Sequence, residues 1–168
     1  LLKFTSNTET MCHGDLHSGS IMCTENDTKV IDPEFAFYGP MGFDLGMNIA
    51  NYLMAFLSQP AHRINSNDIK SFQEWILKVI EDTVNTFFKE FTNLWHNSRR
   101  GILFPKCLYE DQDQSTDYAL NLVLKHILND AISVCGIEMH RRLLSLAHNA
   151  DFELIDDITL KASLEARN

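Results

Sequence analysis

The sequence has little positive charge for its length. Its 168 residues include 14 Lys and Arg against 23 Asp and Glu, which gives a formal net charge of -9. General affinity for nucleic acid or for an anionic membrane requires clustered basic residues, so the composition argues against both. We therefore expect the partners to be small molecules or a protein surface.

Two further features are missing. No apolar run has the length that crossing a bilayer requires, and the polar stretch 5–10 after the first four residues does not fit a signal peptide. The cysteines form no CxxC pair and no metal-ligand spacing; they are Cys12, Cys23, Cys107 and Cys135. We interpret them as reduced, mostly buried thiols in a cytoplasmic protein.

The apolar pattern changes character near residue 44. Short β-branched or apolar runs favour strands at 10–12, 21–23 and 28–31, with turn chemistry at 25–27 that favours a hairpin between the last two. Beyond Asp44, apolar spacings of three and four predict helices over 69–91, 117–135, 137–148 and 154–167. Asn67 or Asp68 is the expected cap of the first helix, and 93–116 is expected to be irregular. The predicted fold class is α+β, mostly α, with a small hairpin followed by a helical body.

Polar side chains alternate directly after two of the predicted strands. His13, Asp15 and His17 follow the first run, and Asp32 and Glu34 follow the third. If those strands are neighbours, the two groups meet at one edge. Carboxylate oxygens suit Mg²⁺ that bridges to phosphate oxygens, and a separate carboxylate can then accept a proton from a hydroxyl.

The spacing of these residues is typical of kinase-like phosphotransferases. His13-x-Asp15 is followed by Ser20 at the place of a metal-binding Asn, and Asp32 comes one hairpin later. Gly14 stands where protein kinases have Arg, and 32–44 is too short for a regulated activation loop. A small alcohol is therefore the expected acceptor, rather than a peptide.

These motifs also carry a family resemblance. His-Gly-Asp-Leu-His at 13–17 is similar to the loop of aminoglycoside and choline kinases. Its continuation to 22, the segment 32–44 (Asp-Pro-Glu-Phe-Ala-Phe-Tyr-Gly-Pro-Met-Gly-Phe-Asp) and Glu-Met-His-Arg-Arg at 138–142 resemble the methylthioribose kinase family. The resemblance covers about 10–150. It implies a protein-kinase-like fold of the aminoglycoside phosphotransferase type. It also implies transfer of phosphate from ATP, with Mg²⁺, to methylthioribose, giving methylthioribose 1-phosphate in methionine salvage.

The resemblance implies a role for each matching residue. Asp15 is the expected catalytic base, and Asp32 and Glu34 are the expected Mg²⁺ ligands. Nucleotide binding is assigned to Ser20 and Asp32, and substrate binding to Arg141, Arg142 and His17. His13 and Asp44 are expected to be structural, His13 by holding its loop and Asp44 by anchoring that loop or capping a helix.

Three other interpretations stay open at this point. One is another small-molecule kinase of the aminoglycoside or choline type, and another is a kinase-like module that binds without catalysis. The third is a metal cluster of a metallohydrolase on His13, Asp15 and His17. That cluster is the weakest of the three, because the remaining histidines form no further ligand motif.

The domain expectation concerns the whole chain. Residues 1–168 are expected to be the C-terminal, catalytic lobe of a kinase-like fold and a fragment of a longer protein. No Gly-rich loop precedes His13, and Lys3 is not in a suitable strand, so we expect the N-terminal nucleotide-binding lobe to lie outside this sequence. The fragment alone is expected to be inactive, and the full-length protein to be a homodimer.

Overall fold

Short strands precede a body of helices in the computed structural model, which describes residues 2–100, 102 and 104–168. The strands are β1 (Thr10–Cys12), β2 (Ile21–Cys23), β3 (Thr28–Val30) and β4 (Phe37–Gly39). The helices are α1 (Leu2–Ser6), α2 (Gly42–His62), α3 (Ser66–Ser98), α4 (Asp117–Leu144), α5 (Ala150–Glu153) and α6 (Ile158–Glu165). Single 3₁₀ turns occur at Ser18–Ser20, Lys106–Leu108 and Glu110–Gln112. The predicted class, α+β and mostly α, is confirmed.

The strands form two antiparallel pairs rather than one sheet. β2 pairs with β3, with Ile21 opposite Val30, and this confirms the predicted hairpin. β1 pairs with β4, with Thr10 opposite Gly39. The first and third predicted strands are therefore not neighbours within the described residues, because the returning segment 37–39 occupies the edge of β1.

The core lies where α2 crosses α4. A Cβ atom built on Gly42 would lie 2.4 Å from the Ile127 carbonyl oxygen, and one on Gly46 would lie 2.4 Å from the Ala131 carbonyl oxygen. The two helix backbones are thus in contact, which only glycine permits. The buried residues around this crossing are Ala50, Met54, Cys135, Met139, Phe152, Ile155 and Leu164. This crossing fixes the relative position of the chain's two halves.

Helix α3 is longer than predicted at both ends. Its cap is Asn65, whose side chain accepts a hydrogen bond from the Asn67 N–H at 2.9 Å, so the predicted cap is wrong by two residues or more. The helix continues to Ser98, into the segment expected to be irregular. Ring contacts at a spacing of four, from Phe87 to Phe91 and from Phe91 to Trp95, accompany this extension.

The C-terminal helices also differ from the prediction. α4 runs through Gly136 without a break, so the two helices expected over 117–148 are one. A glycine costs a helix only about 1 kcal/mol relative to alanine. Cys135 and Met139, buried on either side of Gly136, keep this part of α4 packed against α2. The last predicted helix begins at Ile158 instead of residue 154, with Asp157 as its cap.

Helix α4 corrects the expectation about long apolar runs. By length and composition alone it could cross a membrane, since one 18-residue window has a mean hydropathy of 1.3, and 28% of that window is buried. Core helices of water-soluble proteins pass the same test. Here α4 packs against α2, and part of its apolar surface, including Cys135 and Met139, is buried in that contact.

All four cysteines are free thiols. Cys12 and Cys135 are buried, whereas Cys23 and Cys107 are exposed, so the expectation of mostly buried thiols holds for half of them. Burial, with the nearby Asp44 carboxylate, raises the pKa of the Cys12 thiol to about 11.

Candidate active site

Asp44 anchors the loop that follows β1. It lies in the first turn of α2, where its Oδ2 accepts a hydrogen bond from the His13 backbone N–H at 2.6 Å. Its Oδ1 accepts from the Gly14 N–H at 3.0 Å. A carboxylate near a helix N-terminus is also favoured by the helix dipole. The predicted role of Asp44 as a loop anchor is confirmed.

His13 links this loop to the loop after β3. Its Nδ1 lies 3.3 Å from the Asp15 backbone N, and its Nε2 lies 2.8 Å from the Ile31 carbonyl oxygen. A backbone N–H can only donate and a carbonyl oxygen can only accept. In this geometry Nδ1 accepts and Nε2 donates. The predicted structural role of His13 is confirmed, and this hydrogen bond joins the two polar loops together with the one from the Ile31 N–H to the Ser20 carbonyl oxygen at 2.9 Å.

Gly14 is required by the backbone at this point. Its φ is +90°, a left-handed conformation that side chains rarely adopt. A Cβ atom here would lie 2.1 Å from the Phe35 carbonyl oxygen. The Arg found at this place in protein kinases would therefore not fit, because the backbone of Phe35 lies directly against Gly14.

Asp15 holds its carboxylate at the mouth of a cavity. Its side chain is 29% exposed, and its Oδ1 accepts a hydrogen bond from Arg142 Nη2 at 3.2 Å. His17 Nε2 lies 3.7 Å from the other oxygen, Oδ2, and 3.4 Å from the Ser20 hydroxyl. The structure thus brings Asp15, His17 and Arg142 together.

Ser20 is buried beneath the same loop. Its hydroxyl donates to the Asp15 carbonyl oxygen at 3.3 Å. Ser18, two residues earlier, donates from its hydroxyl to Asn51 Oδ1 on α2 at 2.8 Å. Both serines therefore help to hold the loop, and the assignment of Ser20 to nucleotide binding stays a prediction.

Asp32 and Glu34 are exposed, outside the cavity beside Asp15. Among the described residues, neither carboxylate has a hydrogen bond or an ion pair. Asp32 also has a φ of 65°, an unusual backbone conformation that Asp tolerates better than most residues. In the part of the chain that the structure describes, no three His, Cys, Asp or Glu side chains form a metal-binding group.

The chemistry of this pair fits a nucleotide-bound Mg²⁺. Mg²⁺ in such sites is held by one or two carboxylates together with substrate phosphates and waters. Asp32 and Glu34 are two such carboxylates, two positions apart in the sequence and both exposed to solvent. Their assignment as Mg²⁺ ligands stays a prediction.

Glu138 belongs to the site, and sequence analysis did not assign it a role. Its side chain is 4% exposed and meets both neighbouring arginines on α4. Oε2 accepts from Arg141 Nε at 2.6 Å, and Oε1 accepts from Arg141 Nη2 at 2.8 Å and from Arg142 Nε at 2.6 Å. These hydrogen bonds raise the pKa of the Arg141 guanidinium above its ordinary value. The sequence did contain a signal for this contact. Arg141 and Arg142 follow Glu138 by three and four residues, and residues at those spacings are neighbours on a helix.

The cavity beside Asp15 has a polar end and an apolar wall. Its volume is about 1000 Å³, and its polar end is formed by Asp15, Glu138, Arg141 and Arg142. The apolar wall includes Phe35, Phe37, Phe43, Met47, Val134 and Ile137. An acceptor held here would have a carboxylate, two guanidinium groups and an apolar surface within reach.

Comparison with known proteins gives a consistent family. Residues 3–75 match the model of the phosphotransferase enzyme family (APH). Methylthioribose kinase 1 of Oryza sativa subsp. japonica is 40% identical over 166 residues, which is 98% of this chain and 38% of the relative. Methylthioribose kinases of Escherichia coli O45:K1 and of Geobacillus sp. strain WCH70 are each 39% identical, over 98% and 92% of this chain.

The chain spans about two fifths of the length of these relatives, 38% and 39% for the rice and Escherichia coli proteins. The match nevertheless covers nearly all of this chain, including the loop 13–20, the segment 32–44 and the paired arginines of α4. The chain is thus similar to the methylthioribose kinases over nearly all of its length, and its residues 3–75 match the phosphotransferase enzyme family.

Proposed function

We propose that the complete protein transfers the γ-phosphoryl group of ATP to the anomeric hydroxyl of methylthioribose, as a step of methionine salvage. The observation that carries the proposal is the Asp15 carboxylate, held by an anchored loop at a cavity that also contains two arginines. The names of the relatives support the choice of acceptor. The products are methylthioribose 1-phosphate and ADP.

Asp15 is the general base in this proposal. The acceptor oxygen forms a bond to the γ-phosphorus, and the bond from that phosphorus to the β–γ bridging oxygen breaks. The proton of the hydroxyl passes to the Asp15 carboxylate, for which Oδ2 is suitable because Oδ1 is bonded to Arg142. His17, beside Oδ2, contacts the acceptor.

Arg141 and Arg142 act on the acceptor and on the negative charge of the transferring group. Arg141 has a side chain that is 41% exposed, so part of its guanidinium is free to meet a ligand in the cavity. A rigid cationic fork suits both the hydroxyls of a sugar and the oxygens of a phosphoryl group.

The cavity lining favours methylthioribose over the cationic acceptors of related kinases. The two carboxylates at its polar end are already paired with two guanidinium groups, so this end has no surplus negative charge to attract an aminoglycoside or the ammonium of choline. The apolar wall offers a surface for a methylthio substituent, since thioethers bind well against aromatic rings.

Asp32 and Glu34 would hold Mg²⁺, and Ser20 would lie on the nucleotide side. Bound Mg²⁺ would neutralise charge on the ATP phosphates.

We further propose that residues 1–168 are the C-terminal lobe and that the rest of the protein covers the nucleotide. Residues 1–168 alone would then turn over negligibly. We also propose that the complete protein is cytoplasmic and, as the resemblance to methylthioribose kinases suggests, a homodimer. Light scattering on the complete protein measures its oligomeric state.

The test is Mg²⁺-dependent ADP release by the complete gene product. Methylthioribose, choline, homoserine and an aminoglycoside are compared as acceptors, with Asp15→Asn as the control. Turnover with methylthioribose alone, lost in the variant, is the expected result. Turnover with another acceptor would overturn the choice of substrate, and no turnover with any acceptor would favour the non-catalytic module.

A further inference from the structure

Glu138 is a buried carboxylate whose hydrogen bonds all go to two guanidinium groups within the described residues. The Arg141 guanidinium bonds both of its oxygens, and Arg142 shares one of them. Arg142 then extends from Glu138 to Asp15 across 127 positions of the sequence. One carboxylate therefore determines where both cationic groups lie relative to the proposed base.

The charges explain why this carboxylate matters. Arg141 and Arg142 are adjacent in sequence, so their positive charges repel each other, and Glu138 lies between them. With Asp15 included, the four groups have no net charge. A buried carboxylate is stable only when it is paired and hydrogen-bonded, and Glu138 meets both conditions.

We propose that Glu138 is a positioning residue for the phosphoryl transfer, an inference that rests on the proposed function. Glu138 accepts a hydrogen bond from Arg142 Nε. Arg142 therefore reaches Asp15 with Nη2 alone, and only Oδ1 of the base is hydrogen-bonded to it. Without that restraint, Arg142 would turn and form a two-bond pair with Asp15, the other carboxylate that it contacts. The base would then lose the oxygen that accepts the proton.

The first experiment measures kcat and KM of the complete protein with Glu138→Gln, a variant that preserves side-chain shape. We expect kcat/KM for methylthioribose to fall about 10- to 100-fold, the effect of losing a hydrogen bond to a charged group. KM for ATP should change little. Glu138→Asp, which keeps the charge, should recover part of the loss. An unchanged kcat/KM in Glu138→Gln would overturn the proposal.

A double-mutant cycle separates positioning from simple packing. If Glu138 acts through Arg142, then Glu138→Gln should cost little further activity in an Arg142→Ala background. Independent packing effects would instead multiply, and that result would contradict the proposal. Glu110→Gln is the matched control, because Glu110 also pairs with an arginine but lies outside the cavity. It should leave kcat/KM unchanged.

A labelling measurement does not depend on catalysis. Phenylglyoxal modifies guanidinium groups, and mass spectrometry gives the rate at each arginine. Glu138→Gln should raise the rate at Arg141, which loses its paired carboxylate, and leave the rate at Arg99 unchanged. If the wild type phosphorylates no acceptor, the proposed function fails, and this measurement still decides whether Glu138 holds the arginines. Equal rates in both proteins would overturn the inference.

Discussion

Two carboxylate–guanidinium clusters in this molecule use similar residues in opposite ways. The first, here called the clasp, consists of Trp95, Arg99, Glu110 and Thr116 and joins the end of α3 to the start of α4. The second, here called the site network, consists of Asp15, Glu138, Arg141 and Arg142. Each contains a Glu that accepts hydrogen bonds at 2.6 to 2.8 Å from an Arg.

The clasp is closed. Arg99 donates to both oxygens of Glu110 at 2.7 Å, and its other donors reach the carbonyl oxygens of Phe104 and Trp95 and the Thr116 hydroxyl. That hydroxyl donates to Glu110 and also accepts from the Trp95 indole, so its bonding capacity is filled. The Arg99 side chain is only 8% exposed. No donor of the clasp is left for a ligand.

The site network is open. One carboxylate, Glu138, serves two guanidinium groups, so part of Arg141 faces the cavity with no partner there among the residues that the structure describes. Asp15 likewise has one oxygen hydrogen-bonded to Arg142, and its other oxygen lies 3.7 Å from His17 Nε2. The comparison indicates that a cluster with matched charges and filled donors stabilises the fold, whereas a cluster with spare donors beside a cavity can bind and react.

Replacing the acid of each cluster by its amide should have the largest effect, on activity in one cluster and on stability in the other. Asp15→Asn is expected to lower kcat about 10²- to 10⁴-fold, the usual contribution of a general base. Its free energy of unfolding should change by less than about 1 kcal/mol, because the ion pair that it loses is partly exposed. Glu110→Gln should do the reverse, lowering stability and leaving kcat unaffected. Steady-state kinetics and urea unfolding of both variants would contradict the comparison if the two effects were similar.

A smaller but still large effect should come from Gly14→Ala. The added methyl group meets the Phe35 carbonyl oxygen and must displace the loop that carries Asp15. A displacement of about 1 Å can reduce activity roughly 10²-fold. The matched control is Gly136→Ala, where a Cβ atom meets nothing within 4 Å. That change should stabilise α4 by about 0.5–1 kcal/mol and leave kcat unchanged. Kinetics and thermal unfolding of the pair test the assignment of strain to residue 14.

Removing the cation of the clasp should affect stability only. Arg99→Ala removes a guanidinium that is 8% exposed and donates to Glu110, to the Thr116 hydroxyl and to two backbone carbonyl oxygens, so the free energy of unfolding should fall. KM and kcat should stay near their wild-type values. A fall in kcat without a fall in stability would show that the clasp communicates with the site.

The smallest expected effect is a pH dependence of stability that originates in the clasp. Hydrogen bonds from Arg99 hold the pKa of the Glu110 carboxyl at about 2, below its ordinary 4.5. A lowered pKa in the folded state gives stabilisation that is complete above the unfolded value and is lost as the pH falls from there towards 2. The difference in urea midpoint between wild type and Glu110→Gln should therefore be constant from pH 8 to about 6 and shrink below about pH 4.5. A constant difference down to pH 3 would contradict the assigned pKa.

Local patterns predicted the local structure well. The hairpin of β2 and β3 follows from β-branched residues around a turn, and Asp44 was identified as an anchor from its place at a helix start. The prediction failed where distant packing overrides propensity. Gly136 does not end α4, because the buried neighbours of this glycine pack against α2, and β1 pairs with β4 although the sequence suggested a neighbour in the third run.

The site was predicted in the same uneven way. Asp15 and Arg142 were both named, on motif and resemblance, and the structure brings them into contact. Glu138 was quoted in the motif 138–142 but was given no role, because a glutamate four residues before an arginine is usually an exposed helix pair of small effect. Only its burial and its bonds to two guanidinium groups distinguish it.

The sequence by itself determined which chemical groups are present and which short elements carry them. A glycine between His13 and Asp15, a carboxylate at the start of α2 and a Glu with two Arg on one turn of α4 are all local facts. Only the tertiary structure decided that Asp15 and Arg142, 127 positions apart, contact each other. Their contact depends on the close crossing of α2 and α4 at Gly42 and Gly46. No local rule specifies that crossing, because it is the burial of apolar side chains from both halves of the chain that stabilises it.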